Sequence, residues 1–273
     1  MAKSADAISK TFIKEGGFSY SNKDTGGLTY LGLAYNKWPN VKIWPEVMKI
    51  IQSVKPTITT DSLKNIGTTK GTQLSFTKDE ESKINSLLSK FRKDIIAFYK
   101  KEFWDTINAD GIISQTFAES FFDFSVNSGS GTASILLQEY LGVNPDGDIG
   151  PMTLSKLNSE LLFNTYNVHI DFTIIKIKKY AKICTKNSAQ KANLHGWLNR
   201  TFEVFDEIFS IDVLINFKIK YPDSIPESLR PDIDKLLKVY DLNISYAANK
   251  TPTNLTNLHN KINEIIKAVP AIQ

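Results

Sequence analysis

Residues 15–33 read Glu15-Gly-Gly-Phe-Ser-Tyr-Ser-Asn-Lys-Asp24-Thr-Gly-Gly-Leu-Thr29-Tyr-Leu-Gly-Leu33. Just before this stretch, residues 4–15 place Ile8, Phe12 and Glu15 on one helical face, and Gly16-Gly17 is a helix-ending pair. Phe18 to Gly27 is dense in turn formers, and Leu28 to Leu33 reads as a short strand. The spacing therefore predicts a helix running into a small β-hairpin or three-strand lobe over 18–33.

Glu15 falls at the end of that apolar stripe, where partial shielding from water favours a protonated carboxyl, the form a general acid needs. Asp24 lies in a polar, glycine-rich turn that keeps a carboxylate ionised. Two carboxyls in opposed environments suit glycosidic-bond cleavage: one protonates the leaving oxygen, the other activates water or stabilises charge on the sugar ring. Thr29 could hold a water or a sugar from the hairpin. Spacing alone leaves open that Glu15 is a surface residue and Asp24 an ordinary turn residue.

Working outward, Val41 to Val54 suggests a helix, and Ile58 to Ser75 suggests a loop. A long helix is expected from Lys78 to Trp104, through Ile84, Leu88, Phe91, Ile95 and Tyr99, broken by 107–114. Residues 115–126 form an aromatic helix with Phe117, Phe121 and Phe124 on one stripe, closed by Asn127-Ser-Gly. Ala133 to Leu141 is a further helix, and Gly150-Pro151 opens another at Met152. Helices continue to about Phe209. A proline-rich joint, 221–231, sets off a tail with two helical patterns, in the second of which Leu258, Ile262, Ile265 and Ile266 share a face.

The Glu15–Leu33 stretch resembles the signature of glycoside hydrolase family 108, roughly E-G-G-Y, a short polar stretch, D-x-G-G-x-T and a following glycine. Glu15, Gly16, Gly17, Asp24, Gly26, Gly27, Thr29 and Gly32 match it; Phe18 replaces the usual Tyr and Thr25 stands where Pro is common. Phe98-Tyr-Lys-Lys-Glu-Phe-Trp104 and Ala118-Glu-Ser-Phe-Phe-Asp-Phe-Ser-Val-Asn-Ser-Gly129 resemble the helical peptidoglycan-binding region that accompanies this motif. Leu136 to Val143, Asp146 to Leu154 and Gly196 to Arg200 continue the likeness in order, so that it spans about residues 5–207.

The resemblance implies a mainly α, lysozyme-like helical fold with a small β-hairpin lobe near the N-terminus, and the tail outside it adds a helical C-terminal extension. It divides the chain into a catalytic region at 1–107 with an insertion at 41–80, a helical peptidoglycan-binding region at 108–207, and an extension at 208–273 of unassigned role. It implies N-acetylmuramidase activity with Glu15 as proton donor, Asp24 as base or electrostatic partner and Thr29 assisting, a spacing similar to that of phage-type lysozymes. Substrate binding is expected of Tyr30, Asp123 and Asn127. Each has a plainer alternative: Tyr30 packs in the lobe, Asn127 closes its helix and Asp123 makes a structural hydrogen bond. A non-catalytic wall-binding or structural component of a phage tail or secretion apparatus is the rival function.

Composition fits this reading. At 273 residues, 41% hydrophobic and 23% charged, the chain is an ordinary folded protein that needs neither disulfide nor metal. The single cysteine, Cys184, excludes an intrachain disulfide and reads as a buried thiol. His169, His195 and His259 are scattered, with no metal-binding spacing. Asn144-Pro-Asp146-Gly-Asp148 alternates oxygen ligands like a calcium loop, but glycine falls at position seven and Ser155 replaces the closing Glu. No cofactor and no metal is expected.

A net charge of +4 suits a polyanionic partner and equally a solvated lysine-rich surface. Bacterial peptidoglycan is the expected partner, with no nucleic acid and no membrane span. An immunity protein, a phage or a secretion apparatus is the candidate partner that 208–273 would meet. The N-terminal residues carry no signal-peptide pattern, so synthesis in the cytoplasm and holin-, phage- or secretion-dependent delivery to the wall are expected.

Overall fold

Apolar stripes at helical spacing recur along most of the chain, and the structure, a computed structural model, turns them into helices, with one small sheet among the described residues. It describes residues 1–15, 17–20, 27–66, 74–209, 211, 215 and 230–267. The chain divides into two compact units, Lys3–Asp105 and Met1–Ala2 with Thr106–Gln273.

In the first unit, α1 (Ser4–Glu15) buries Ile8 and Phe12. Three antiparallel strands follow in the order β1 (Phe18–Tyr20), β2 (Leu28–Tyr30) and β3 (Leu33–Ala34). Phe18, Ser19 and Tyr20 face Tyr30, Thr29 and Leu28, while Thr29 and Tyr30 face Ala34 and Leu33. The strand expected over 28–33 is thus a hairpin. Leu31 and Gly32 form its two-residue turn, with φ of 47° and 77°, the paired positive values of a type I′ connection. Leu31 is an unusual residue for that backbone, and three contacts hold it there. Its N–H donates to the Gly17 carbonyl (3.3 Å), its carbonyl accepts from the Tyr99 hydroxyl (3.1 Å), and its side chain is buried.

Residues 41–66 are more ordered than their composition suggests. Helix α2 (Trp44–Val54) has Pro45 in its first turn and buries Trp44, Val47, Met48 and Ile51. The stretch read as a loop contains a short helix, α3 (Thr60–Lys64), started by the Thr59 hydroxyl accepting from Ser62 N–H (3.1 Å). Helix α4 (Lys78–Leu88) opens with a reciprocal cap: Thr77 Oγ1 accepts from Glu80 N–H (3.2 Å) and Glu80 Oε2 from Thr77 N–H (2.8 Å).

The single long helix expected over 78–104 is broken. A 3₁₀ turn at Ser89–Phe91 separates α4 from α5 (Arg92–Tyr99), and a π turn follows at Lys100–Trp104. The Ser89 hydroxyl bonds back to the Ser86 carbonyl (2.6 Å), a local competitor of the helix ladder. In the π turn, Asp105 N–H reaches the Lys100 carbonyl (2.8 Å). Phe103 and Trp104, which end the π turn, are both buried, and the Phe103 ring lies 5.5 Å from that of Tyr99.

The second unit is helical: α6 (Gln115–Ser128), α7 (Ser130–Leu141), α8 (Pro151–Phe163), α9 (Thr165–Lys186), α10 (Lys191–Phe209), α11 (Arg230–Ala248) and α12 (Pro252–Lys267). Helix α9 is central and packs on α7, α8, α10, α11 and α12. Phe117, Phe121 and Phe124 of α6 surround its Phe172 at ring separations of 5.2, 5.7 and 5.8 Å. Cys184 is buried, and burial pushes its thiol up to about 11. The joint at 221–231 lies outside the described residues up to 229. Among the described residues no helix is long and apolar enough to cross a membrane.

Candidate active site

Glu15 is the last residue of α1, so its backbone is fixed by a helix whose Ile8 and Phe12 are 1% and 3% exposed. Its side chain, together with Gly16, Asp24 and Gly26, lies outside the described residues. Thr29 occupies the middle of the sheet, between Ser19 and Ala34. It is half-buried, and its hydroxyl reaches the Gly27 carbonyl only at 3.4 Å, a weak bond. Tyr30 is 4% exposed. Its ring packs in the lobe, and burial raises its hydroxyl above the ordinary tyrosine range, opposed by the nearby Arg92 charge. The Arg92 guanidinium also lies over Phe12, 5.5 Å from the ring centre.

Two glycines of the sequence signature are explained by what stands against them. A Cβ on Gly17 would meet Asn85 Oδ1 at 2.3 Å. That oxygen accepts from the Phe18 N–H at 2.6 Å and pins the start of β1 to α4. Gly27 has φ of +68°, and a Cβ there would lie 2.5 Å from the Ile66 carbonyl oxygen and 2.6 Å from Asn36 Nδ2. Asn36 Nδ2 donates to that same Ile66 carbonyl (2.9 Å).

The far end of β1 is held by Tyr20, whose hydroxyl accepts from Phe76 N–H (2.9 Å) and donates to Glu81 Oε1 (3.1 Å). Its ring stacks on Phe18 and meets Phe76 edge-on at 4.6 Å. Asn85, Asn36 and Tyr20 therefore set the backbone on both sides of residues 21–26, and sequence reading singles out none of them.

Asp123 and Asn127 belong to the second unit. Asp123 is 7% exposed, and its Oδ1 accepts from Arg200 Nε at 2.7 Å. Asn127 donates from Nδ2 to the Asp123 carbonyl (3.0 Å) near the end of α6. Beside them Tyr180 stacks on Trp197 at 5.0 Å, and burial, then the Asp123 charge, raises its hydroxyl. The structure thus joins Asp123 to Asn127 in the second unit, while Thr29 and Tyr30 are successive residues of β2 in the first.

The calcium-like loop is organised around Gln138, which is 1% exposed. Gln138 Nε2 donates to Asp146 Oδ1 (2.8 Å) and the Asp148 carbonyl (2.9 Å), while its Oε1 accepts from Gly147 N–H (2.8 Å). The Asp148 N–H and Gln138 hold the Asp146 carboxyl below its usual range. Among the described residues no group of three or more His, Cys, Asp and Glu side chains is placed to hold a metal.

Residues 8–129 match the family model of glycosyl hydrolase 108, and residues 132–202 match that of a predicted peptidoglycan domain. No curated protein matches the sequence significantly. Among the solved structures that match is that of Brucella abortus SagA, 18% identical over 74% of this chain and 90% of that one, with a TM-score of 0.47. The mainly α, lysozyme-like chain, with its small antiparallel lobe, thus matches glycosyl hydrolase 108 over residues 8–129 and a peptidoglycan domain over 132–202, and the two matches together support a hydrolase that acts on peptidoglycan.

Proposed function

We propose that the chain is an N-acetylmuramidase: it hydrolyses the bond between N-acetylmuramic acid and N-acetylglucosamine in peptidoglycan glycan strands. Glu15 is the general acid that protonates the glycosidic oxygen as the bond to the muramic acid anomeric carbon breaks. Asp24 is the second carboxylate, activating water or stabilising the positive charge on the ring, and Thr29 positions the water or the sugar. The observation that carries this reading is the position of Glu15, as the final residue of a packed helix that leads straight into a lobe pinned at Gly17 and Gly27. The C-terminus of a helix carries unpaired carbonyls, which disfavour negative charge and favour a protonated acid at the residue that ends it. No cofactor enters this chemistry.

The test is digestion of purified peptidoglycan by the wild type and by Glu15→Gln, with products reduced and identified by mass spectrometry. New reducing ends on muramic acid from the wild type, with a loss of at least about 10²-fold in the variant, are expected. Anhydro-muramic products would mean intramolecular transfer, and glucosamine reducing ends would mean that the other bond is cut. A protein that binds the wall and releases nothing is a wall-binding component instead.

A further inference from the structure

Helices α7 and α9 leave between them a groove of about 450 Å³. Four of the side chains lining it are Lys178, Lys179, Lys182 and Lys186, all from α9. With Ile175 and Ile183, three of them form a single stripe at positions 175, 179, 182, 183 and 186, so the cations form a ladder along one wall. Lys182 and Lys186 are exposed and Lys178 and Lys179 half-buried. The facing wall contributes one carboxylate, Glu139, and the Tyr140 hydroxyl, which burial and the neighbouring Asp171 keep protonated.

Ammonium groups three and four residues apart on one helix repel each other, at about 0.2–0.5 kcal/mol per pair, so this ladder destabilises the isolated helix. A ligand carrying spaced negative charges removes that repulsion, and the apolar floor from Ile175 and Ile183 accommodates its aliphatic parts. All the lining residues lie within 132–202, the span that matches the predicted peptidoglycan domain. In peptidoglycan the sugars are neutral, and the negative charge sits on the carboxylates of the peptide stems.

We propose that this groove is the wall-holding site of the second unit and that it binds the stem-peptide carboxylates of peptidoglycan. The proposal rests on the peptidoglycan reading for the identity of the polymer, but it is independent of which bond is cut and of Glu15. It supplies the full chain with a means of staying on the wall between cleavage events.

The experiment is co-sedimentation of the full chain, in the Glu15→Gln background, with purified sacculi stripped of teichoic acid. Parallel arms use sacculi whose stems have been removed by an amidase and whose newly freed muramic lactyl carboxylates have then been capped as amides, and walls that retain teichoic acid. Lys182→Gln/Lys186→Gln is the test variant, chosen because both side chains are exposed and outside the core. Its affinity for intact sacculi should fall about tenfold, each exposed ion contact being worth up to about 1 kcal/mol. The parent should lose a similar factor on stem-free glycan and on raising the salt from about 50 to 200 mM. Binding of the variant equal to that of the parent, equal binding of the parent to intact and stem-free glycan, or binding that requires teichoic acid would each overturn the proposal. If the variant fails to fold, the salt and stem-removal arms on the parent decide alone. Reducing ends in the supernatants report separately on the muramidase reading, so the two can fail independently.

Discussion

The pairing of Gly17 with Asn85 can be tested without reference to substrate. Gly17 has a backbone outside the left-handed region, so alanine fits its φ, and the only obstacle is Asn85 Oδ1 at 2.3 Å from the new Cβ. That oxygen is the far end of a side chain, so in Gly17→Ala it swings away, and the Phe18 N–H loses its 2.6 Å acceptor. The cost is therefore that of one part-buried hydrogen bond, about 1 kcal/mol. Asn85→Ala breaks the same bond and costs about the same. The double variant has nothing further to lose, so its destabilisation should be about 1 kcal/mol, not the 2 kcal/mol of independent changes, a coupling near −1 kcal/mol. Urea unfolding followed by tryptophan fluorescence measures all four proteins, with Trp38, Trp44 and Trp104 reporting on the first unit. Because the bond fixes the backbone three residues after Glu15, both single variants should also lose activity on peptidoglycan. Additive free energies, or a Gly17→Ala protein as stable as the wild type, would refute the reasoning.

His169 is 2% exposed beside Phe117, and burial, with a smaller contribution from Lys176, lowers it from 6.5 to about 4. Its neutral form is the native one, so the unfolded chain takes up the proton first. The stability it contributes is complete above pH 6.5 and is lost as the pH falls towards 4, up to about 3 kcal/mol, or a shift in Tm on the order of 10 °C. Thermal unfolding from pH 7 to 4 should show that slope in the wild type and a shallower one in His169→Gln; parallel curves would contradict the assignment. Asp123→Ala removes the carboxylate from a guanidinium only 16% exposed and should cost about 3 kcal/mol, while Asp123→Leu with Arg200→Met should recover most of it. Urea midpoints check this, and a loss below about 1 kcal/mol for Asp123→Ala would show that the pair is not tightly coupled.

The sequence is legible where one residue type has one structural use. Helices with regular apolar stripes, such as α1 and α6, are read correctly because burial on one face needs that spacing. The Leu28–Leu33 run misleads because Leu31 is an apolar β-type residue sitting at a turn, held there by Gly17 and by Tyr99, which is 68 positions away. The Lys78–Trp104 run misleads for a different reason: apolar spacing survives a 3₁₀ turn and a π turn, since each shifts the stripe by only a fraction of a turn. Thr59 shows that a five-residue helix is announced by its cap rather than by its stripe. In the site, the glycines are visible in the sequence but their partners Asn85, Asn36 and Ile66 are not, since a polar side chain gives no sign of which distant backbone it will meet.

The tail acquires a definite structural meaning from its packing, although no sequence motif assigns it one. Ile233, Leu236, Val239, Leu258 and Ile262 of α11 and α12 are all 3% exposed or less. At about 1.5–3 kcal/mol each, these five side chains contribute on the order of 10 kcal/mol of gross burial, comparable to the whole net stability of a domain. Two polar knots fix where they sit. His195 Nδ1 meets Asn243 Oδ1 at 2.8 Å, and Asn243 Nδ2 donates to Asn199 Oδ1 at 2.7 Å, tying α11 to α10. His259 Nε2 lies 3.1 Å from the Ala181 carbonyl and 3.3 Å from Thr185 Oγ1, tying α12 to α9. Ala181 and Thr185 are interleaved with Lys179, Lys182 and Lys186 on the C-terminal half of α9, so the helices of the tail brace the same turns that display the cation ladder. Buried polar contacts of this kind add little net energy but strongly penalise a shifted register, because any slip leaves a histidine or asparagine buried without its partner. The extension is therefore a structural part of the unit that carries the groove, and it holds α9 in the one register that keeps the lysines on the open face.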